Sequence, residues 1–244
     1  MDEKLFLNRI RSALAHTRAA PAISLTHADR ETTSLVPTTK NRESLIERFT
    51  QQATLAAMEV HRCPTADAPT VLADLLRVTL SRGEDILPSP SSVPRESTRS
   101  TPAAVPAILL PPPDPDVPFD LESVVQTIPA KPIHLDPPPP DFLDICFTAD
   151  AAISFAHAGI AETGSVVLCS APRHSRLASV AAPLHLSLLP TSRLVPDLLD
   201  LFTPDLAPPP LMTLVTGPSK TADIEMTLIR PMHGPARELV LLLD

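Results

Sequence analysis

Thirty-one prolines against five glycines constrain this 244-residue chain more than any motif in it. A chain of average composition and this length has about 12 prolines and about 17 glycines. Proline brings no amide hydrogen to a sheet ladder, so central strands must be drawn from the stretches that lack it. Sixteen of the prolines fall in residues 86–141, in runs such as PPPDPDVP and DPPPP, which marks that segment as irregular. Only VPAILL, 105–110, offers a short strand inside it. The segment reads either as exposed connections padded with proline or as a polyproline ligand for a partner.

The remaining composition narrows the function classes. Apolar residues make up 43% of the chain with seven Phe and no Trp or Tyr, so a core has to be built from Leu, Val, Ile and Ala. The net charge is −8 and no Lys/Arg block is present. That argues against nucleic-acid binding, which needs basic clusters along the phosphate backbone or aromatic rings to stack bases. Cys63, Cys146 and Cys169 are far apart and form no C-x-x-C pair, so neither a zinc nor an iron–sulfur ligand set is readable and no metal site is expected. The spacing suits reduced, buried thiols in a cytoplasmic protein. MDEKLFLNRIRSALAH lacks the apolar run of a signal peptide, and no stretch reaches the roughly 18 apolar residues of a membrane span.

Periodicity predicts a helix at the N-terminus on Phe6, Ile10, Ala13 and Leu14, followed by a polar arm to residue 40. Residues 41–244 then read as a single α/β domain. It opens with a helix over 42–57, a strand in MEVHRC (58–63) and a helix over 69–82 that Gly83 caps. Further along, LDICFT (143–148) reads as a buried strand and Ala149 to Ala158 as a short helix. SVVLCS (165–170) and LHLSLL (184–189) read as strands, and 192–202 as a helix with Leu194, Leu198, Leu199 and Phe202 inward. LMTLVT (211–216) and ELVLLL (238–243) complete the set. Apolar strands alternating with helices are the signature of a mostly parallel sheet covered on both faces.

Four of the five glycines stand in three places: Gly159 and Gly164 in AGIAETGSVVL, Gly217 in TGPSKTADIE, and Gly234 in MHGP. A chain so poor in glycine keeps it where the backbone needs positive φ or close approach. TGPSKTADIE is not a nucleotide loop, because no glycine precedes Lys220-Thr221 and G-x-G-x-x-G is absent. Two readings stand for it. A turn at a strand end, with hydroxyls of Thr216, Ser219 and Thr221 beside Lys220, binds a small anion; or Ser219 or Thr221 caps a helical turn with Asp223 near its start. The ligand-binding candidates are accordingly Thr163, Gly164, Ser165, Thr216, Gly217, Ser219, Lys220, Thr221, Asp223, Glu225 and Gly234. Glu162, beside two hydroxyls in AETGS, is a candidate base or nucleophile, or else a residue that ties down its turn. His233 in MHGP is a candidate acid, base or ligand, or else structural.

AGIAETGSVVL, PLHLSLLPTSRLVPDLLDLF and TGPSKTADIEMTLIRPMHGPARELVLLL together, in this order, resemble the lactate utilization protein C family, whose members consist of one LUD domain. The resemblance covers about 150–244, extends more loosely to ERFTQQATLAAMEV and the N-terminal helix, and does not extend to the proline-rich segment. It implies a three-layer α/β sandwich resembling the NagB/RpiA/CoA-transferase-like fold. It also implies a cluster-free subunit that acts with iron–sulfur partner proteins in oxidising L-lactate to pyruvate. The alternative is a stand-alone enzyme of that fold, using Glu162 and Lys220 on a small acyl or phosphorylated anion.

Overall fold

The computed structural model describes residues 41–81, 105–135, 141–169, 177–202, 211–219, 221–222, 228–229 and 234–244. The expected N-terminal helix and arm, the Gly83 cap, Lys220, Asp223, Glu225 and His233 lie outside them. The chain runs α1 (Arg42–Leu55), β1 (Glu59–Cys63), α2 (Ala68–Ser81), β2 (Ala107–Leu110), α3 (Leu121–Gln126), β3 (Lys131–His134), α4 (Phe142–Thr148) and β4 (Ala151–Phe155). It continues β5 (Ala158–Ile160), β6 (Ser165–Cys169), α5 (Ala178–Ala181), β7 (Leu184–Pro190), β8 (Leu194–Val195) and β9 (Met212–Val215). Short β10 (Thr221–Ala222) and β11 (Leu228–Ile229) pair with each other, and β12 (Arg237–Leu243) follows.

Six strands form one sheet in the order β1-β12-β7-β4-β2-β3, and every neighbouring pair is parallel. The central strands β4, β7 and β12 carry one proline, Pro190, at the last residue of β7. Pro132 sits in β3, at the sheet edge, where a missing amide hydrogen breaks no ladder. One face packs on α2 and α3 through Leu72, Leu76, Val124 and Val125 against Ile153, Leu186, Leu188 and Leu241. The other face carries two separate apolar clusters. One joins Phe49 and Ala53 of α1 to Leu189, Val240 and Leu242; the other joins Leu109 and Ala152 to Cys146 of α4 and Ala178 of α5. Helices and a small four-stranded sheet, β8-β5-β6-β9, therefore sandwich the large sheet, as the three-layer expectation requires.

Three element readings are corrected. LDICFT is not a strand but part of α4: Phe142, Ile145, Cys146 and Ala149 form an inward stripe at helical spacing, while Leu143 and Phe147 face out. A short apolar run cannot be assigned by periodicity alone. AAISF, inside the helix expected over Ala149 to Ala158, is β4, buried on both faces so that tertiary packing overrides propensity. Residues 192–202 form no α-helix but a 3-10 turn at Thr191–Arg193, strand β8, and a second 3-10 turn at Leu199–Phe202. Pro196 removes an amide from any such helix and pushes Val195 into the extended region. Leu194 is buried, but Leu198 and Phe202 are exposed, against the inward expectation.

α1 begins at Asn41, whose side chain accepts from the Glu43 amide, and ends in a Schellman motif. The Met58 amide donates to the Ala53 carbonyl and the Ala57 amide to the Thr54 carbonyl. The left-handed position belongs to Ala57, at φ 67°, where glycine is usual. The Cβ there costs about 1–2 kcal/mol, and glycine gives back about 0.5–1 kcal/mol through unfolded-chain entropy. Ala57→Gly is expected to raise stability by up to about 1 kcal/mol, read as a higher urea midpoint at unchanged slope.

Candidate functional site

The end of α1 is also where the glycine-bearing turns meet. Gly164, φ 65°, closes the turn between β5 and β6, its amide donating to the Ile160 carbonyl. A Cβ on it would lie 2.1 Å from the Ala53 amide nitrogen. Gly217, φ 82°, follows β9, and a Cβ there would lie 2.1 Å from the Ala56 carbonyl oxygen. Both glycines satisfy the two reasons for keeping the residue, positive φ and close approach, against the same helix end. Gly159 meets only the second: its Cβ would lie 2.6 Å from the Leu189 side chain and 2.7 Å from that of Leu194. The third segment joins them through the Ser219 amide, which donates to the Pro235 carbonyl, and through Gly234, which faces Ser219.

This convergence aligns hydroxyls. β6 and β9 are antiparallel with Val166 opposite Val215, so the next step sets Ser165 opposite Thr216. Ser165 Oγ lies 2.7 Å from Thr216 Oγ1 and 2.7 Å from Thr163 Oγ1, either hydroxyl of each pair being the donor. Ser165 is buried, while Thr163 and Thr216 are exposed. Glu162 is half-buried; its amide donates to the Pro196 carbonyl, and its carboxylate has no hydrogen bond or ion pair among the described residues. The structure thus brings Thr163, Gly164, Ser165, Thr216, Gly217, Ser219 and Gly234 together, with Glu162 in the same turn. Thr221 is placed by its backbone in β10. Lys220, Asp223, Glu225 and His233 are outside the described residues.

A second polar group was not singled out from the sequence. Between the two apolar clusters on one face of the large sheet runs a row formed by Ser154, His185, Ser187 and Glu238, from β4, β7 and β12. His185 Nδ1 lies 2.7 Å from Glu238 Oε2 and His185 Nε2 lies 3.0 Å from Ser154 Oγ. His185 and Glu238 are fully buried, at 0% and 2% exposure, and Ser154 is half-buried. Burial pushes the Glu238 carboxyl above its ordinary range, and His185 opposes that shift. Ser187 Oγ is buried without a partner among the described residues. The signal was present as polar residues at alternate positions of LHLSLLP and as Glu238, the second residue of β12, but only the register unites them.

Arg193 fixes the rim nearby: Nη1 donates to the Ala156 carbonyl at 2.7 Å, and the guanidinium binds Asp114 and Asp116. This ties the PPPDPDVP segment to the end of β4. Among the described residues no cluster of His, Cys, Asp or Glu has metal-site geometry, and no helix is long and apolar enough to cross a membrane. Burial raises all three thiols, Cys169 to about 11.

The fold and this edge define a three-layer α/β protein with a parallel sheet and a glycine-pinned hydroxyl turn. Residues 140–243 match the family model of the LUD domain, and that match contains all three glycine-bearing turns. An uncharacterized protein of Neisseria meningitidis serogroup B is 39% identical over 97 residues, 38% of this chain and 41% of that one. Lactate utilization protein C of Exiguobacterium sp. is 36% identical over 101 residues, 38% of this chain and 44% of that protein. Its counterpart in Bacillus subtilis is 32% identical over 103 residues, 39% and 43% of the two chains. Each match spans less than half the length of the relative. A crystal structure of a DUF162 family protein from Deinococcus radiodurans superposes with a TM-score of 0.54 at 15% identity, covering 84% of this chain and 100% of the other, which establishes a shared fold.

Gly164→Ala and Gly217→Ala each place a Cβ into backbone at positive φ, and each is expected to cost about 2–4 kcal/mol. Gly234→Ala, whose Cβ would meet only the Ser219 side chain at 3.1 Å, is expected to cost under about 1 kcal/mol. Urea denaturation of the three variants checks the order. The thiols are expected to resist iodoacetamide at pH 8 until the chain is unfolded. Unfolded Cys169 releases its proton near pH 9 and the folded residue near pH 11, so its contribution, complete below pH 9, is lost as pH rises through that window. Denaturation midpoints across pH 8–11 for the wild type and Cys169→Ala isolate it.

Proposed function

We propose that this chain serves lactate utilization, as a cluster-free cytoplasmic subunit working with iron–sulfur partner proteins that oxidise L-lactate to pyruvate. The LUD domain match over residues 140–243 carries this reading, and relatives named lactate utilization protein C support it. The cysteine spacing offers no cluster ligand set, and in this reading the redox groups belong to the partner proteins. The Thr163–Ser165–Thr216 hydroxyls, with the turn at Gly217, suit a small carboxylate held by neutral donors.

A second reading has one observation in its favour: the unengaged carboxylate of half-buried Glu162 beside those hydroxyls. In it the chain alone turns over a small acyl or phosphorylated anion, with Glu162 as base or nucleophile and Lys220 on the anion.

Affinity purification of the full chain from lactate-grown cells, followed by mass spectrometry, tests the first reading. Iron–sulfur proteins are expected to co-purify, and deletion is expected to abolish growth on L-lactate while leaving growth on glucose intact. Absence of both effects sinks the proposal. Turnover by the isolated chain that Glu162→Gln abolishes favours the second reading.

A further inference from the structure

The row on the large sheet has an order of exposure that a merely structural bridge does not need. His185 and Glu238 are both buried, at 0% and 2% exposure, and the chain of hydrogen bonds ends on Ser154, the one of the three that is only half-buried. A hydroxyl bonded to an imidazole, itself oriented by a carboxylate, is the arrangement that activates a serine. Ser154 stands one residue from the carboxyl end of the short β4 and level with the middle of β7, while His185 and Glu238 are the second residues of β7 and β12.

The neighbouring position supplies an independent indication. Ser187 on β7 is in register with Ser154, so both side chains leave the same face one strand spacing apart, about 4.8 Å. Its hydroxyl is fully buried and has no partner among the described residues. An orphaned buried hydroxyl costs roughly 1–3 kcal/mol unless something polar meets it. A substrate oxygen beside Ser154 would meet that donor.

We propose that Ser154, His185 and Glu238 form an acyl-transfer site in which Ser154 is the nucleophile toward an ester or thioester, and Ser187 a donor to the acyl oxygen. With the Glu238 carboxylate accepting from His185 Nδ1–H, Nε2 is free to take the Ser154 proton. Ser154 Oγ forms a bond to the acyl carbon, the bond to the alcohol or thiol breaks, and the leaving group takes the proton from Nε2. Water then attacks the acyl-serine, delivers its proton to Nε2, and releases the carboxylic acid as that proton returns to Ser154. The site is distinct from the hydroxyl turn at the end of α1, and it stands or falls independently of the lactate reading.

The test uses the purified full chain, a fluorophosphonate probe and peptide mass spectrometry, with p-nitrophenyl acetate turnover as a second readout. A single adduct on Ser154 is expected. Labelling and turnover are expected to fall by about 10²-fold or more in Ser154→Ala, His185→Asn and Glu238→Gln, the range that loss of general-base assistance produces. Ser154→Ala removes only a hydroxyl, and an unchanged melting curve shows that its fold is kept. In Ser154→Cys, iodoacetamide is expected to alkylate residue 154 faster than in the Ser154→Cys/Glu238→Gln double variant. No adduct on the wild type, an adduct elsewhere, undiminished labelling of Ser154→Ala, or equal alkylation of the two cysteine variants each overturns the assignment. Loss of lactate growth with a silent probe would leave the lactate reading intact and remove this one.

Discussion

Every amide in the interior of a sheet has to find a carbonyl, and this requirement, set against 31 prolines, shapes the molecule. The sheet is assembled from the short segments that proline spares. β4, β7 and β12, at its centre, are supported by non-local parallel pairings, Ala151 to Leu184 and Leu184 to Arg237 among them. Among the described residues proline enters a strand only where the ladder ends, at Pro132 on the edge and Pro190 at a terminus. Pro69 sits in the first turn of α2, and one proline-rich connection is turned into structure: Asp114 and Asp116 of the PPPDPDVP segment clamp Arg193, which in turn holds the carbonyl after β4. Proline richness is therefore compatible with a buried parallel sheet because the prolines are segregated, not because the sheet tolerates them.

The scarcity of glycine has the complementary consequence. Where two segments must approach the backbone at the end of α1, only Gly164 and Gly217 leave room, and both adopt positive φ there. The approach sets β6 beside β9 so that Ser165 and Thr216 meet. The helix end itself uses Ala57 for its own left-handed residue, so glycine is spent on inter-segment contact and not on capping. The hydroxyl turn is thus a product of packing against α1, an element more than 100 residues earlier in the chain.

This explains which parts were legible in the sequence. α1, α2 and strands β6, β7, β9 and β12 follow from periodicity and uninterrupted apolar runs. The glycine scarcity points to Gly164 and Gly217, because a rare residue marks a backbone need. α4 and β4 were exchanged in kind, since Ile145–Cys146 and Ala151–Ala152 are apolar pairs too short for their period to decide. Over 192–202 the leucine spacing suggests a helix that Pro196 forbids. The row of Ser154, His185, Ser187 and Glu238 was not legible, because its members come from three strands and meet only through parallel register.

That row also bears on why the covered face carries two apolar clusters instead of one. A face closed to water gains most from continuous apolar packing, as on the side covered by α2 and α3, where Ile153, Leu186 and Leu241 join one cluster. Replacing that continuity with a histidine, a glutamate and two serines incurs desolvation that hydrogen bonds offset only in part. Satisfying the group internally accounts for His185 and Glu238, since each engages the other. Ser154 meets the other ring nitrogen of His185, but nothing of this kind accounts for Ser187, which has no partner among the described residues. Stability alone would favour alanine or valine at Ser187, so its placement on the inner face is better understood as serving a molecule that comes and goes than as serving the fold.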